Sequence, residues 1–67
     1  MTISYGDIAR TRRMELGLTQ REVAERACVD RTTVNKFEND RHDMRLDVFL
    51  SILNALNLKV NIEEVEA

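Results

Sequence analysis

The 67-residue chain is 43% hydrophobic, with ten Lys/Arg, twelve Asp/Glu, one His, one Cys, two Gly and no Pro. That length is one domain with a thin core, because a chain this short buries only ~60% of the surface it exposes when unfolded. A single cysteine excludes an internal disulfide, and one His with one Cys leaves no ligand set for structural zinc. Association with a second copy is the expected extra support. The polar start MTISYGDIARTRR has no signal-peptide pattern. No apolar run reaches the ~18 residues of a membrane span, so a soluble, cytoplasmic protein is expected. Phosphate-loop, dinucleotide and zinc-protease motifs are missing, and one His gives no nucleophilic triad. The expectation is a non-enzymatic protein without cofactor or metal. The net charge of −2 argues against nucleic acid, but its distribution does not. Residues 1–45 hold nine of the ten basic groups against eight acids, while residues 46–67 hold one Lys and four acids. Local field outweighs net charge.

The pattern Ser4-Tyr5-Gly6-Asp7 has the S-x-x-D form of a helix start. A first helix is predicted over residues 6–16, ended by Gly17, with Ile8, Ala9 and Leu16 on one face and Arg10, Arg12 and Arg13 making it basic. Thr19-Gln20-Arg21-Glu22 is a T-x-x-E capping box. It opens a short helix over residues 20–27, whose inward positions Val23, Ala24 and Ala27 are small enough for close packing. Cys28-Val29 is the break, and Asp30 can cap a third helix over residues 31–39. Val34 and Phe37 form its inward side. Its outward side shows Arg31, Thr32, Thr33, Asn35 and Lys36, hydrogen-bonding residues with little reason to be there for folding.

Residues 40–45 read as a charged loop. A fourth helix over residues 46–56 is apolar at eight of eleven positions, with Asp47, Ser51 and Asn54 as a thin polar stripe. A helix apolar nearly all round must be buried on more than one side, and a second copy is the expected cover. Leu58, Val60 and Ile62 alternate with polar residues at strand period. A lone strand in a helical chain needs a partner from another chain. The predicted dimer interface is Val48, Ile52, Leu56, Leu58, Val60 and Ile62. Glu63, Glu64 and Glu66 follow as an acidic tail.

Two short helices joined by a tight break, the second polar outward, make a helix-turn-helix. Such a unit lays its second helix in the major groove of duplex DNA. Arg31, Thr32, Asn35 and Lys36 are the candidates for base contact. Arg31 suits bidentate reading of guanine, against the plainer alternative of a solvated surface arginine. Gln20 opens the second helix, where free N–H groups favour an anion. With Thr33, Asn39, Arg41 and Arg45 it makes up the candidate phosphate set. His42 reads as an ordinary loop residue and Cys28 as a small apolar filler.

The stretch from Gly17 through Ala27, with Val34-Asn35-Lys36-Phe37-Glu38-Asn39, resembles the phage-repressor-like (Cro/CI-type, XRE) helix-turn-helix family. The resemblance covers residues 6–57. Lys36 through Asn39, Leu46 through Leu53 and Leu56 through Ile62 look like HipB-type antitoxins. It implies a mostly α, lambda-repressor-like bundle of four to five helices over residues 1–57. Residues 58–67 would form a short C-terminal strand, pairing across a homodimer, and the tail. It further implies a structural ion pair between Arg13 and Glu38, a pseudo-palindromic double-stranded DNA operator, and a HipA-like kinase toxin as partner in an autoregulated operon. The chain departs from the family at Cys28, where Gly is usual, at Asp30, where Ser or Lys is common, and at Asp40, often Gly. Two alternatives stay open. One is a phage or restriction-control regulator without a toxin. The other is a protein-interaction module that has lost DNA binding.

Overall fold

Each helix begins at a residue in extended backbone and is closed off by one residue in the left-handed region. The computed structural model describes residues 4–41 and 43–61, and its helices are α1 Tyr5–Glu15, α2 Gln20–Ala27, α3 Arg31–Glu38 and α4 Leu46–Ala55. These lie within one residue of the predicted bounds. The left-handed residues are Gly17 (φ 68), Cys28 (φ 58), Asp40 (φ 60) and Asn57 (φ 58). At each, the same pair of bonds recovers two helix carbonyls. Leu18 N–H reaches Arg13 O, Val29 N–H reaches Ala24 O, Arg41 N–H reaches Lys36 O and Leu58 N–H reaches Leu53 O, all at 2.9–3.0 Å. The left-handed residue itself donates to a nearer carbonyl, as in a Schellman end. Only one of the four is glycine; Asp40 and Asn57 are types that adopt this conformation readily, so the steric cost of about 1–2 kcal/mol falls chiefly on Cys28.

The helix starts differ more. Ser4 Oγ accepts from Asp7 N–H at 3.1 Å, and Thr19 and Glu22 exchange both bonds of a capping box, at 3.1 and 3.0 Å. Asp30 stands at the N-cap of α3, but its side chain makes no capping bond, which corrects the sequence expectation. Thr33 N–H bonds instead to the Asp30 carbonyl at 2.9 Å.

The core is built where α2 packs on α3 and α4 while α1 packs on α3. The small inward face of α2 (Val23, Ala24, Ala27) lets its neighbours approach closely, and Phe37, Ile52, Leu56, Val23 and Val34 are the largest fully buried side chains. Each contributes roughly 1.5–3 kcal/mol through burial. Phe49 links three helices. Its ring lies 4.8 Å from that of Phe37 and meets Tyr5 edge-on at 5.8 Å.

Two sequence expectations about packing are overturned. Ile8 does not share the inward face of α1 with Ala9; it is 45% exposed. The face of α4 assigned to a dimer is core. Ile52 and Leu56 are 0% and 1% exposed within the protomer, and Val48 is half-buried against the same cluster. The large apolar α4 residues left open are Leu46, at 71%, and Leu50, at 41%. They lie at i, i+4 spacing on one face of the helix, beside the buried Leu53. The apolar majority of α4 therefore divides between a buried side and a narrower exposed one. No strand occurs among the described residues. Leu58 is half-buried and Val60 is 46% exposed, whereas His42, Ile62 and the acidic tail lie outside the described residues. No helix of the described residues is long and apolar enough to cross a membrane.

Candidate nucleic-acid interface

The turn between α2 and α3 is tight because Cys28 reverses the chain in one residue and Val29 then tucks into the core. On α3, Val34 and Phe37 point into the core and Glu38 is also buried. What remains faces solvent: Arg31, Thr32, Asn35 and Lys36 are all exposed, and Thr33 is half-buried. Two cations and two small hydrogen-bonding groups thus share the outer face of one eight-residue helix, backed by a rigid core. Among the described residues, Arg31, Thr32 and Lys36 make no side-chain hydrogen bond or ion pair, which leaves their donors available.

The candidate phosphate residues are less uniform. Gln20 is not a free first-turn amide: it is half-buried and Nε2 donates to Glu38 Oε1 at 3.2 Å. Asn39 folds back on its own helix, where Nδ2 donates to Asn35 O at 2.8 Å and lies 3.3 Å from Asn35 Oδ1. Arg45 is exposed but sits 3.3 Å from the Asp47 carboxylate. Arg41 is exposed, with its backbone N–H anchored on Lys36 O.

Behind this face lies a polar frame. Arg13 Nε and Nη2 donate to Glu38 Oε2 and Oε1 at 2.7 and 3.1 Å, and Nη1 donates to Leu18 O at 3.0 Å. The pair is bidentate and well buried, the two side chains being 16% and 5% exposed. Together with Gln20 it ties α1, the start of α2 and the end of α3 to one carboxylate. Arg12 Nε donates to Leu56 O at 3.1 Å, placing a cation at the negative end of α4.

Sequence reasoning missed two parts of this frame. Asp40 receives Gly6 N–H at 2.9 Å on one oxygen and Ser4 O–H at 2.7 Å on the other. The carboxylate after α3 therefore caps the start of α1, more than thirty residues away in sequence. No local pattern announces such a bond. Gly6 is the second. A Cβ there would lie 2.6 Å from Glu38 O and 2.7 Å from Phe37 O, so the glycine permits backbone-to-backbone contact between α1 and α3. A glycine inside a capped helix was the available signal. At the capping box, the Glu22 carboxyl is held below the usual carboxylate range, chiefly by the Thr19 backbone N–H and then by the Thr19 hydroxyl.

The helix-turn-helix family (HTH_3) matches residues 10–62. No curated protein matches the chain. Among solved structures, the restriction-modification controller protein C.AhdI from Aeromonas hydrophila is 26% identical, with a TM-score of 0.75, over 85% of this chain and 86% of that one. The clp gene regulator ClgR from C. glutamicum is 27% identical, with a TM-score of 0.72, over 84% and 73%. A chain of a HipA–HipB–O2–O3 complex is 24% identical, with a TM-score of 0.80, over 98% and 96%. With most of its length matched, the chain belongs to the helix-turn-helix family and is a DNA-binding regulator of the XRE type.

Proposed function

We propose that the protein is a dimeric, sequence-specific transcriptional repressor that reads a pseudo-palindromic operator with α3. The observation that carries this reading is the outer face of α3, where Arg31, Thr32 and Lys36 are exposed without side-chain partners among the described residues and Asn35 is exposed with its amide N–H groups free, over buried Val34 and Phe37. Arg31 reads guanine, Thr32, Asn35 and Lys36 take neighbouring edges, and Thr33, Arg41 and Arg45 hold phosphates. Gln20 and Asn39 serve first as internal braces and meet phosphate only with the donors they have left. Two copies related by a two-fold axis would set their recognition helices ~34 Å apart, one DNA turn. The exposed Leu46 and Leu50, with Leu58 and Val60, supply the apolar surface for the second copy. A cytoplasmic location follows from this reading.

Within it, we favour an autoregulating antitoxin that binds a HipA-like kinase toxin. The likeness to the chain in the HipA–HipB–O2–O3 complex spans nearly the whole length of both chains, and the residues from Phe37 to Ile62 carry the sequence similarity. A toxin-free restriction-control regulator is the second reading, supported by the 26% identity to C.AhdI. Co-purification with the product of the adjacent gene separates the two.

Titration of a cognate and a scrambled duplex tests the proposal. Arg31→Ala is expected to cost about 1–3 kcal/mol on the cognate duplex and to relax preference at one base pair. Equal affinities before and after the change would remove α3 from the role of reader. Sedimentation tests the dimer: wild type is expected to be dimeric at micromolar concentration, and Leu50→Lys to weaken association without loss of helix.

A further inference from the structure

Asp30 occupies the N-cap of α3 in extended backbone, φ −76 and ψ 149, where a carboxylate ordinarily accepts from the first-turn N–H groups. It does not do so. Its own carbonyl takes Thr33 N–H at 2.9 Å, and its carboxylate makes no capping bond. Among the described residues it has no hydrogen-bonded or ionic partner, and the residue is exposed. By contrast, the carboxylates of Asp40, Glu38 and Glu22 are each engaged by at least one donor. The unspent acceptor thus stands at the leading end of the recognition helix, one residue before Arg31, where helix-turn-helix proteins place the side chains that meet base edges.

A negative charge at the DNA-facing end of a recognition helix would weaken binding to any duplex, through repulsion from its phosphates. The loss is recovered only where the groove offers a donor. The major-groove edge of guanine offers acceptors alone, as do the polar atoms of thymine. Adenine sets its N6 donor beside the N7 acceptor, while cytosine offers the N4 amino group without an adjacent acceptor. Specificity is a difference of affinities, and a carboxylate set against an acceptor-only edge widens that difference. Resting on the reading of α3 as the recognition helix, we propose that Asp30 is a specificity-determining residue that accepts from cytosine N4 at a base pair beside the one read by Arg31.

The experiment selects duplexes from a randomised pool with the wild-type protein, Asp30→Ala and Asp30→Asn, then titrates the selected duplex with each single base-pair replacement. Wild type is expected to favour cytosine at one position by about tenfold, the scale of a good side-chain-to-base contact. Asp30→Ala should flatten that position to within about threefold while keeping the guanine preference assigned to Arg31. Asp30→Asn should move the preference toward adenine, whose N6 and N7 match an amide. The carboxylate makes no cap bond, so both variants should keep the wild-type circular dichroism and melt cooperatively, with at most the small loss expected of a charge near a helix N-terminus. An unchanged base preference in Asp30→Ala would overturn the proposal, as would a uniform rise in affinity for every duplex, the mark of phosphate repulsion alone. If the wild-type protein enriches no sequence while remaining folded, the DNA-reading assignment of α3 falls, and this proposal with it.

Discussion

The two ends of α3 treat polar side chains in opposite ways. At its C-terminal end, Glu38 is bound by Arg13 and Gln20, Asn39 by its own helix, and Asp40 by Ser4 and Gly6. At its N-terminal end, Asp30, Arg31 and Thr32 are exposed and hold nothing among the described residues. The first end is architecture: its groups are matched, Glu38 is buried as well, and the bonds of Glu38 and Asp40 fix α3 and its end against α1 and α2. The second end is function, because donors and acceptors left in water cost little when the protein is free and are available to a ligand. The difference yields a rule for this chain. A polar residue committed to a partner should report on folding when changed, and an uncommitted one on binding.

The sharpest way to break the rule is Arg13→Ala. It leaves the buried Glu38 carboxylate with Gln20 as its remaining hydrogen-bond donor, and removing one partner of a buried pair costs about 3–5 kcal/mol. A 67-residue domain has little more than that to lose, so loss of the helical circular dichroism signal at 37 °C is expected. Replacing both partners by apolar residues, Arg13→Met with Glu38→Leu, should recover most of the stability, since the pair's desolvation cost disappears with it. Arg31→Ala in the same urea titration should move stability by no more than about 0.5 kcal/mol. Equal costs for Arg13 and Arg31 would dissolve the contrast between the two ends.

Gly6→Ala probes the same frame through shape alone. The added methyl would meet backbone oxygens of α3, which cannot swing aside as a flexible side chain would. Overpacking of this kind costs about 1–3 kcal/mol. Thermal melts read the effect, and an unshifted melting temperature would show that α1 and α3 can separate freely.

The uncommitted end was more legible in the sequence than the frame. Helical periodicity alone separates Val34 and Phe37 from Arg31, Thr32, Asn35 and Lys36, because an eight-residue helix with few apolar positions has one way to face its core. The capping box at Thr19 and Glu22 is likewise local. The frame is made of bonds between residues far apart in sequence. Arg13 with Glu38 was reachable only through family resemblance, and Asp40 with Gly6 was not reachable at all. On α4 the apolar count was read correctly but divided wrongly. Eight apolar positions leave the inward direction undetermined, and only packing against α2 shows that Ile52 and Leu56 face the core while Leu46 and Leu50 do not.

Cys28 tests the turn that leads into the uncommitted end. Its backbone sits at φ 58 and its side chain is exposed, so Cys28→Gly removes a steric penalty without emptying the core. The gain is partly offset by the greater freedom of glycine in the unfolded chain, leaving about 1 kcal/mol of stabilisation. Because Cys28 precedes the uncommitted end without belonging to it, base preference should be unchanged. A denaturant midpoint that rises while the selected DNA sequence stays the same is the expected result. A changed sequence would mean that the turn also orients α3.

The smallest effect belongs to Glu22, which is committed but fully exposed. Thr19 N–H and hydroxyl hold its carboxyl below the usual range. A carboxylate favoured in the folded state contributes stability that is present above its unfolded value, near ~4.3. That contribution is lost as pH falls through the lowered folded value. As pH falls from the ordinary glutamate range through the lowered folded value, wild type should therefore lose slightly more of its melting temperature than Glu22→Gln, whose side chain has no charge to lose. Above that window the wild type should be the more stable of the two, since the charged oxygen is the stronger acceptor for Thr19 N–H and favours the start of α2. Parallel curves across the window would mean that exposure to water erases the bond's effect, and that commitment governs folding only where the committed group is buried.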